Sequence, residues 1–236
     1  RGLGDVYKRQ PLTLPMNVQL ITKQGEQGEL PLSIPAERIG DQVTAAGIPF
    51  AIAKDGKNAL RLAGQTLTLK KDTRRLALLL SADSNRILDF TVGGKAVPCS
   101  VLSRTRRFAS WDLYDLHETA HIQEGQLGYV STHSHNADGT DAIAKELYFY
   151  ILILNVQGGD TVVLPRDEET LVLAATELNT VAVPCATPLY DRVEDRPFDY
   201  TMRLGDKLRY LRMKLPWYMG DKGRYFSCYN RGRERE

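Results

Sequence analysis

The sequence predicts an all-β fold, a β-sandwich or jelly roll, and three observations carry that prediction. Short apolar runs recur about every ten residues between turn residues from Ile48 to Leu102. A longer run, Leu147-Tyr148-Phe149-Tyr150-Ile151-Leu152-Ile153-Leu154, is rich in aromatic and β-branched shapes that pack on a pleated surface, and it is too short to cross a bilayer. Hydrophobic residues make up 42% of the 236 positions, enough for a sizeable core, and nothing in their spacing suggests alternating helices and strands.

In chain order, Arg1-Gly2-Leu3-Gly4-Asp5-Val6-Tyr7-Lys8-Arg9-Gln10 lacks an initiating Met and resembles translated sequencing-adapter read-through, so residues 1–10 are expected to be an artefact of a gene fragment. Residues 11–47 mix short apolar pieces with Gly25, Gly28, Pro31 and Pro35 and read as an irregular connector with one strand near Val18-Gln19-Leu20-Ile21. Within it, Ser33 to Glu37 has the pattern of a capped helical turn.

Residues 48–187 then form the expected accessory sandwich. Strands are predicted over Ile48–Ala53, Ala59–Leu62, Gln65–Leu69, Arg75–Ser81, Ile87–Val92 and Val97–Leu102, separated by Asp55-Gly56, Ala63-Gly64, Lys71-Asp72, Asp83-Ser84-Asn85 and Gly93-Gly94. The Leu147 run reads as a buried central strand. Thr161–Leu164 and Leu171–Ala175 follow the Gly158-Gly159-Asp160 turn as its neighbours. Only Ser110 to Glu124 reads as a helix of useful length. From residue 188 the pattern is lost: Asp191 to Asp199 is charged and interrupted by Pro197, and Met202, Leu204, Leu208, Leu211 and Leu215 give a weak helical period to the tail over 188–236.

Charge excludes some partners. Lys and Arg number 31 against 29 Asp and Glu, a net +2 that gives no field suited to nucleic acid or a membrane surface, and the excess gathers in a polar tail at Lys222, Arg224, Arg231, Arg233 and Arg235. Cys99, Cys185 and Cys228 are widely spaced and contain no CxxC pair, so neither a disulfide framework nor a zinc ribbon is expected. No run approaches the roughly 18 apolar residues of a membrane helix. Composition does not decide between cytoplasm and export.

The 4 histidines, His117, His121, His133 and His135, fall close together and form the main concentration of metal-ligand chemistry. His117-Glu118-Thr119-Ala120-His121 matches HExxH, in which a helix presents both imidazoles to zinc and the Glu activates water, with His133 or His135 available as a third ligand. The bland alternative is a chance match of a motif that constrains three positions. For Thr132-His133-Ser134-His135-Asn136 there are also two readings. The side chains hold a loop through hydrogen bonds. Alternatively, His133, His135, Asn136 and Asp138 meet a sugar's hydroxyls at the mouth of a sandwich, with Trp111 or Tyr114 as a stacking face. No GxSxG elbow, phosphate-binding GxxxxGK loop or GxGxxG turn occurs, so no catalytic residue is assigned.

Several segments in order, Ile48-Pro49-Phe50, Asn58-Ala59-Leu60 with Gly64-Gln65-Thr66-Leu67, Leu76 to Ala82 and Ser110-Trp111-Asp112, continue with Thr132-His133-Ser134-His135, Tyr148 to Leu154, Val163-Leu164-Pro165-Arg166-Asp167 and Leu171 to Thr176. Together they resemble the non-catalytic β region that follows the catalytic domain in bacterial glycoside hydrolase family 38 α-mannosidases. The resemblance implies a galactose-binding-like sandwich that packs on, and helps shape, an upstream catalytic domain of the same chain. That domain would hold zinc and act on α-mannoside glycans. It also implies that this fragment is inactive alone and needs no cofactor of its own. Ser134 stands where the family motif usually has a basic residue between the two histidines, and no His-x-Asp zinc pair is present. A stand-alone carbohydrate-binding module and an HExxH metalloprotease are the alternatives.

Overall fold

The computed structural model describes residues 9–106, 109–114, 117–122, 125–179 and 199–201, with side chains described outside 109–122 and 199–201. All regular elements among the described residues are β-strands. Four of them, β1 (Arg9–Leu12), β2 (Ile21–Thr22), β3 (Leu32–Pro35) and β4 (Gln42–Ala45), fall largely where a connector was expected. Next come β5 (Ile48–Ala51), β6 (Leu60–Ala63), β7 (Thr66–Thr68), β8 (Arg75–Ser81), β9 (Arg86–Val92) and β10 (Lys95–Val101), each overlapping an apolar run. They are followed by β11 (Ala109–Tyr114), β12 (His117–Ile122), β13 (Gln126–Val130), β14 (Ser134–Asn136) and β15 (Asp141–Ala142). The last four are β16 (Tyr148–Asn155), β17 (Thr161–Val163), β18 (Arg166–Leu178) and β19 (Asp199–Thr201).

The chain divides into two compact units, Arg1–Phe108 with Gln123–Thr187, and Ala109–Ile122 with Pro188–Glu236. In the first unit a 6-stranded sheet has the order β1-β18-β8-β16-β13, with β6 also paired to β18. Strand β8 explains its position. Leu76, Leu78 and Leu80 point into one apolar cluster while Ala77 and Leu79 point into another, so both faces are buried and the strand reads as an unbroken apolar run. Strand β16 does the same, with Phe149 and Ile151 on one side and Leu154 on the other, while Tyr148 and Tyr150 pack with Leu102.

Two layers cover this central sheet. On one side the sheet β10-β9-β17-β7 contributes Leu67, Phe90 and Val162; on the other, Leu20, Ile21, Ile34 and Phe50 come from β2, β3, β5 and the chain beside them. Phe50, Phe90 and Phe149 are fully buried, and each such side chain contributes about 1.5–3 kcal/mol of transfer free energy. Strand β18 faces both cores by alternation and carries a bulge. Its register against β8 shifts between Val172 and Ala174, so the adjacent residues Leu173 and Ala174 both enter the same cluster.

The expected connector is therefore part of the sandwich. β1 pairs along β18, with Arg9 opposite Leu178 and Gln10 opposite Glu177, so two residues of the segment expected to be read-through lie in the central sheet. The helical turn expected at Ser33 to Glu37 is instead β3, whose Ile34 lies parallel to Ile21 of β2. Its apolar residues find a sheet partner, which outweighs the local capping pattern.

In the second unit, β12 lies between β11 and β19. The helix expected over Ser110 to Glu124 is absent: β11 and β12 form an antiparallel pair with Ser110 opposite His121 and Tyr114 opposite His117. The alternation Ser110-Trp111-Asp112-Leu113 has a period of two and fits a strand better than a helix. The expected tail helix over Met202 to Leu215 lies outside the described residues.

Candidate functional site

Residues two apart on a strand share a face, so β14 and the residue before it bring His133 and His135 side by side. Their ring centroids are 5.8 Å apart. Ser134, between them, turns to the opposite side, where it is buried and its hydroxyl donates to the Lys145 carbonyl oxygen. The strand is held between β3 and β15, with His135 opposite both Ser33 and Asp141. Its imidazole is consequently sealed, with 0% exposure.

One ring nitrogen of His135 is engaged and the other is not. Nδ1 lies 3.0 Å from the Thr22 hydroxyl, which lies 2.7 Å from the Ser33 hydroxyl. Nε2 is buried and makes no hydrogen bond, although Glu37 Oε1 is 3.4 Å away and Asp141 Oδ1 is 3.5 Å away. Both carboxylates are within electrostatic reach, but neither has hydrogen-bonding geometry. His133 repeats the pattern at the rim. Its Nδ1 is 3.0 Å from the Thr132 hydroxyl and its Nε2 is 3.9 Å from Glu37 Oε1. The Glu37, His133 and His135 ligand atoms all lie within 4.8 Å of one another. Nearby, burial first and the negative Glu37 second push the Tyr129 phenol up to about 12, so it stays protonated.

The other expected sugar contacts are used within the hairpin between β14 and β15. Asn136 donates from Nδ2 to the Thr140 hydroxyl at 3.0 Å, and Asp138 Oδ1 accepts from the Thr140 amide at 3.0 Å and its hydroxyl at 2.6 Å. The Thr140 hydroxyl and then its amide hold the Asp138 carboxyl below the ordinary carboxylate range. Gly139 closes the tip with φ of 82°, and a Cβ there would lie 2.7 Å from the Gly25 carbonyl carbon and 2.9 Å from the Glu26 carbonyl oxygen. Gly139→Ala should lower stability by roughly 2 kcal/mol through left-handed strain and this contact, read as a lowered melting temperature. An unchanged melting temperature would mean that the two loops separate without cost.

Trp111 lies on β11 in the second unit, and its side chain is outside the described residues. His117 and His121 lie on β12 rather than on a helix. The helical backbone that HExxH requires is therefore not present there. The residues missed by sequence reasoning are Glu37 and Asp141, together with the supporting Thr22 and Ser33. Each comes from a different strand or turn, and no local spacing links them to the histidines.

Residues 8–181 match the family model for an AziU2-like β-sandwich domain. No curated protein matches the chain. The family match supports a β-sandwich domain, and nothing in it ties the chain to glycoside hydrolase family 38.

Proposed function

We propose that this chain, a member of the AziU2-like β-sandwich domain family, is a non-catalytic module that supports and shapes the catalytic domain of a longer, zinc-dependent α-mannosidase, a reading that rests on the resemblance of its segments and not on the family match. One observation carries this reading: the longest segments that give the resemblance are framework. Leu76 to Ala82 and Leu171 to Thr176 are buried throughout, and Tyr148 to Leu154 are mostly buried in the central sheet. Asn58 uses its amide to hold the backbone of Leu20 and Ile21. Such residues build the core of a scaffold and do not supply an acid, a base or a nucleophile.

In this reading the partner is the catalytic domain upstream in the same chain, the zinc belongs to that domain, and α-mannoside glycans are its substrates. The purified 236-residue chain should show no turnover of a chromogenic α-mannoside and no saturable heat when titrated with mannose. Turnover would sink the non-catalytic assignment, and saturable heat would favour a carbohydrate-binding module. Sequencing the source DNA upstream of Pro11 tests the parentage separately. A reading frame with a His-x-Asp catalytic domain is expected, and a start codon near Pro11 would remove the mannosidase reading.

A further inference from the structure

We propose that Glu37, His133 and His135, with Asp141 beside His135, form a binding site for one divalent zinc-class ion that ties the turn after β3 to the β14-β15 hairpin. The inference is independent of the mannosidase reading. It starts from the unpaired nitrogen. His135 is fully buried, its Nε2 has no hydrogen-bond partner, and the groups around that atom are two carboxylates and a second imidazole. A buried polar atom without a partner is costly, and a bound cation would remove that cost while neutralising the facing acids.

The spacing fits. Ligands at about 2.0 Å from a tetrahedral ion stand about 3.3 Å from each other. Nε2 of His135 is 3.4 Å from Glu37 Oε1, close to that edge length, and the ligand atoms of Glu37, His133 and His135 all lie within 4.8 Å of one another. His133 Nε2, at 3.9 Å from Glu37 Oε1, would have to move inward slightly, and its rim position permits this. Two imidazoles with a carboxylate suit zinc, whereas calcium and magnesium favour all-oxygen sets. Three protein ligands leave the fourth position of a tetrahedral ion to water.

The surrounding hydroxyls serve the same arrangement. A ligating imidazole usually gives its other N–H to a fixed acceptor, which sets the tautomer and turns the bare nitrogen to the metal. Thr22 occupies that place for His135, braced by Ser33, and Thr132 occupies it for His133. Glu37 and Asp141 side chains are 45% and 38% exposed, so an ion can enter from solvent on the carboxylate side.

The test uses the whole chain, stripped with chelator and titrated with zinc alone, following bound metal by elemental analysis and melting temperature by circular dichroism. Binding of one zinc per chain with a raised melting temperature is expected. Glu37→Gln and His133→Ala, at partly exposed positions and therefore expected to fold, should each weaken binding by at least about tenfold. A His117→Ala, His121→Ala double variant should bind zinc like the parent chain. Absence of stoichiometric zinc would overturn the proposal. Unchanged affinity in both Glu37→Gln and His133→Ala, or loss of binding in the His117 and His121 variant, would overturn it by placing the ion elsewhere.

Discussion

Asn58→Leu is expected to destabilise the first unit by roughly 3–6 kcal/mol, because it would leave up to three buried backbone groups without partners. The side chain of Asn58 is fully buried and acts as a substitute peptide group. Its Oδ1 accepts from the amides of Leu20 and Ile21, each at 2.8 Å, and its Nδ2 donates to the carbonyl oxygens of Ile21 at 2.8 Å and Lys54 at 3.2 Å. Leucine has a similar volume, so the loss would come from hydrogen bonding rather than from a cavity. Chemical denaturation of parent and variant would measure it. A difference under about 1 kcal/mol would mean that water reaches the segment and replaces the lost bonds. Asn58→Asp separates the two halves of the role. It keeps the acceptors for Leu20 and Ile21 but sets a buried anion against the Ile21 carbonyl, so it too should destabilise.

This substitution also has a consequence at the ion site. Ile21 precedes Thr22, whose hydroxyl contacts His135 Nδ1, and the Thr22 carbonyl accepts from the Ala36 amide one residue before Glu37. Loosening the Leu20-Ile21 segment should therefore disturb both a ligand's orientation and the turn that carries another ligand. Zinc affinity should fall along with stability in Asn58→Leu, while a core change at Phe90, in the opposite cluster, should lower stability with little effect on affinity.

The same residues show what can be read from the sequence. β8 and β16 are legible because both of their faces are buried, which leaves an apolar run with few interpretations. β2 and β3 are not. They are two and four residues long, lie among prolines and glycines, and are held by distant groups such as Asn58 and the β14 hairpin. No local pattern encodes a hydrogen bond across that separation. β12 misleads for a related reason: an i, i+4 histidine pair has meaning on a helix, but the period-two alternation of β11 and pairing with two strands decide the conformation. At the candidate site, the His133 and His135 pair is visible because residues two apart share a strand face. Glu37 and Asp141 reach it only through the register of three strands.

The turn at Gly158-Gly159-Asp160 shows the same limit, and it yields the second large effect. Its residues announce a turn, but only the fold shows that Gly158 is pressed against Lys71. A Cβ on Gly158 would lie 1.7 Å from the Lys71 carbonyl oxygen and 2.5 Å from its carbonyl carbon, so backbone and not a flexible side chain would have to move. That backbone is tied on both sides. The Gly159 amide donates to the Lys70 carbonyl at 3.2 Å, the Leu69 amide to the Asp160 carbonyl at 3.3 Å, and the Gln157 amide to Asp160 Oδ2 at 2.7 Å. Gly158→Ala should thus cost roughly 3 kcal/mol, near the top of the usual range for overpacking, since relief of the clash breaks bonds that join the β16-β17 connection to the chain after β7. Gly159→Ala is the informative comparison. Gly159 has φ of 88°, but a methyl group placed there would meet nothing within 4 Å, so its cost should be only the roughly 1–2 kcal/mol of left-handed strain. Denaturation of the two variants side by side should rank Gly158→Ala as the more damaging; the reverse order would mean that dihedral strain, and not the approach to Lys71, governs this turn.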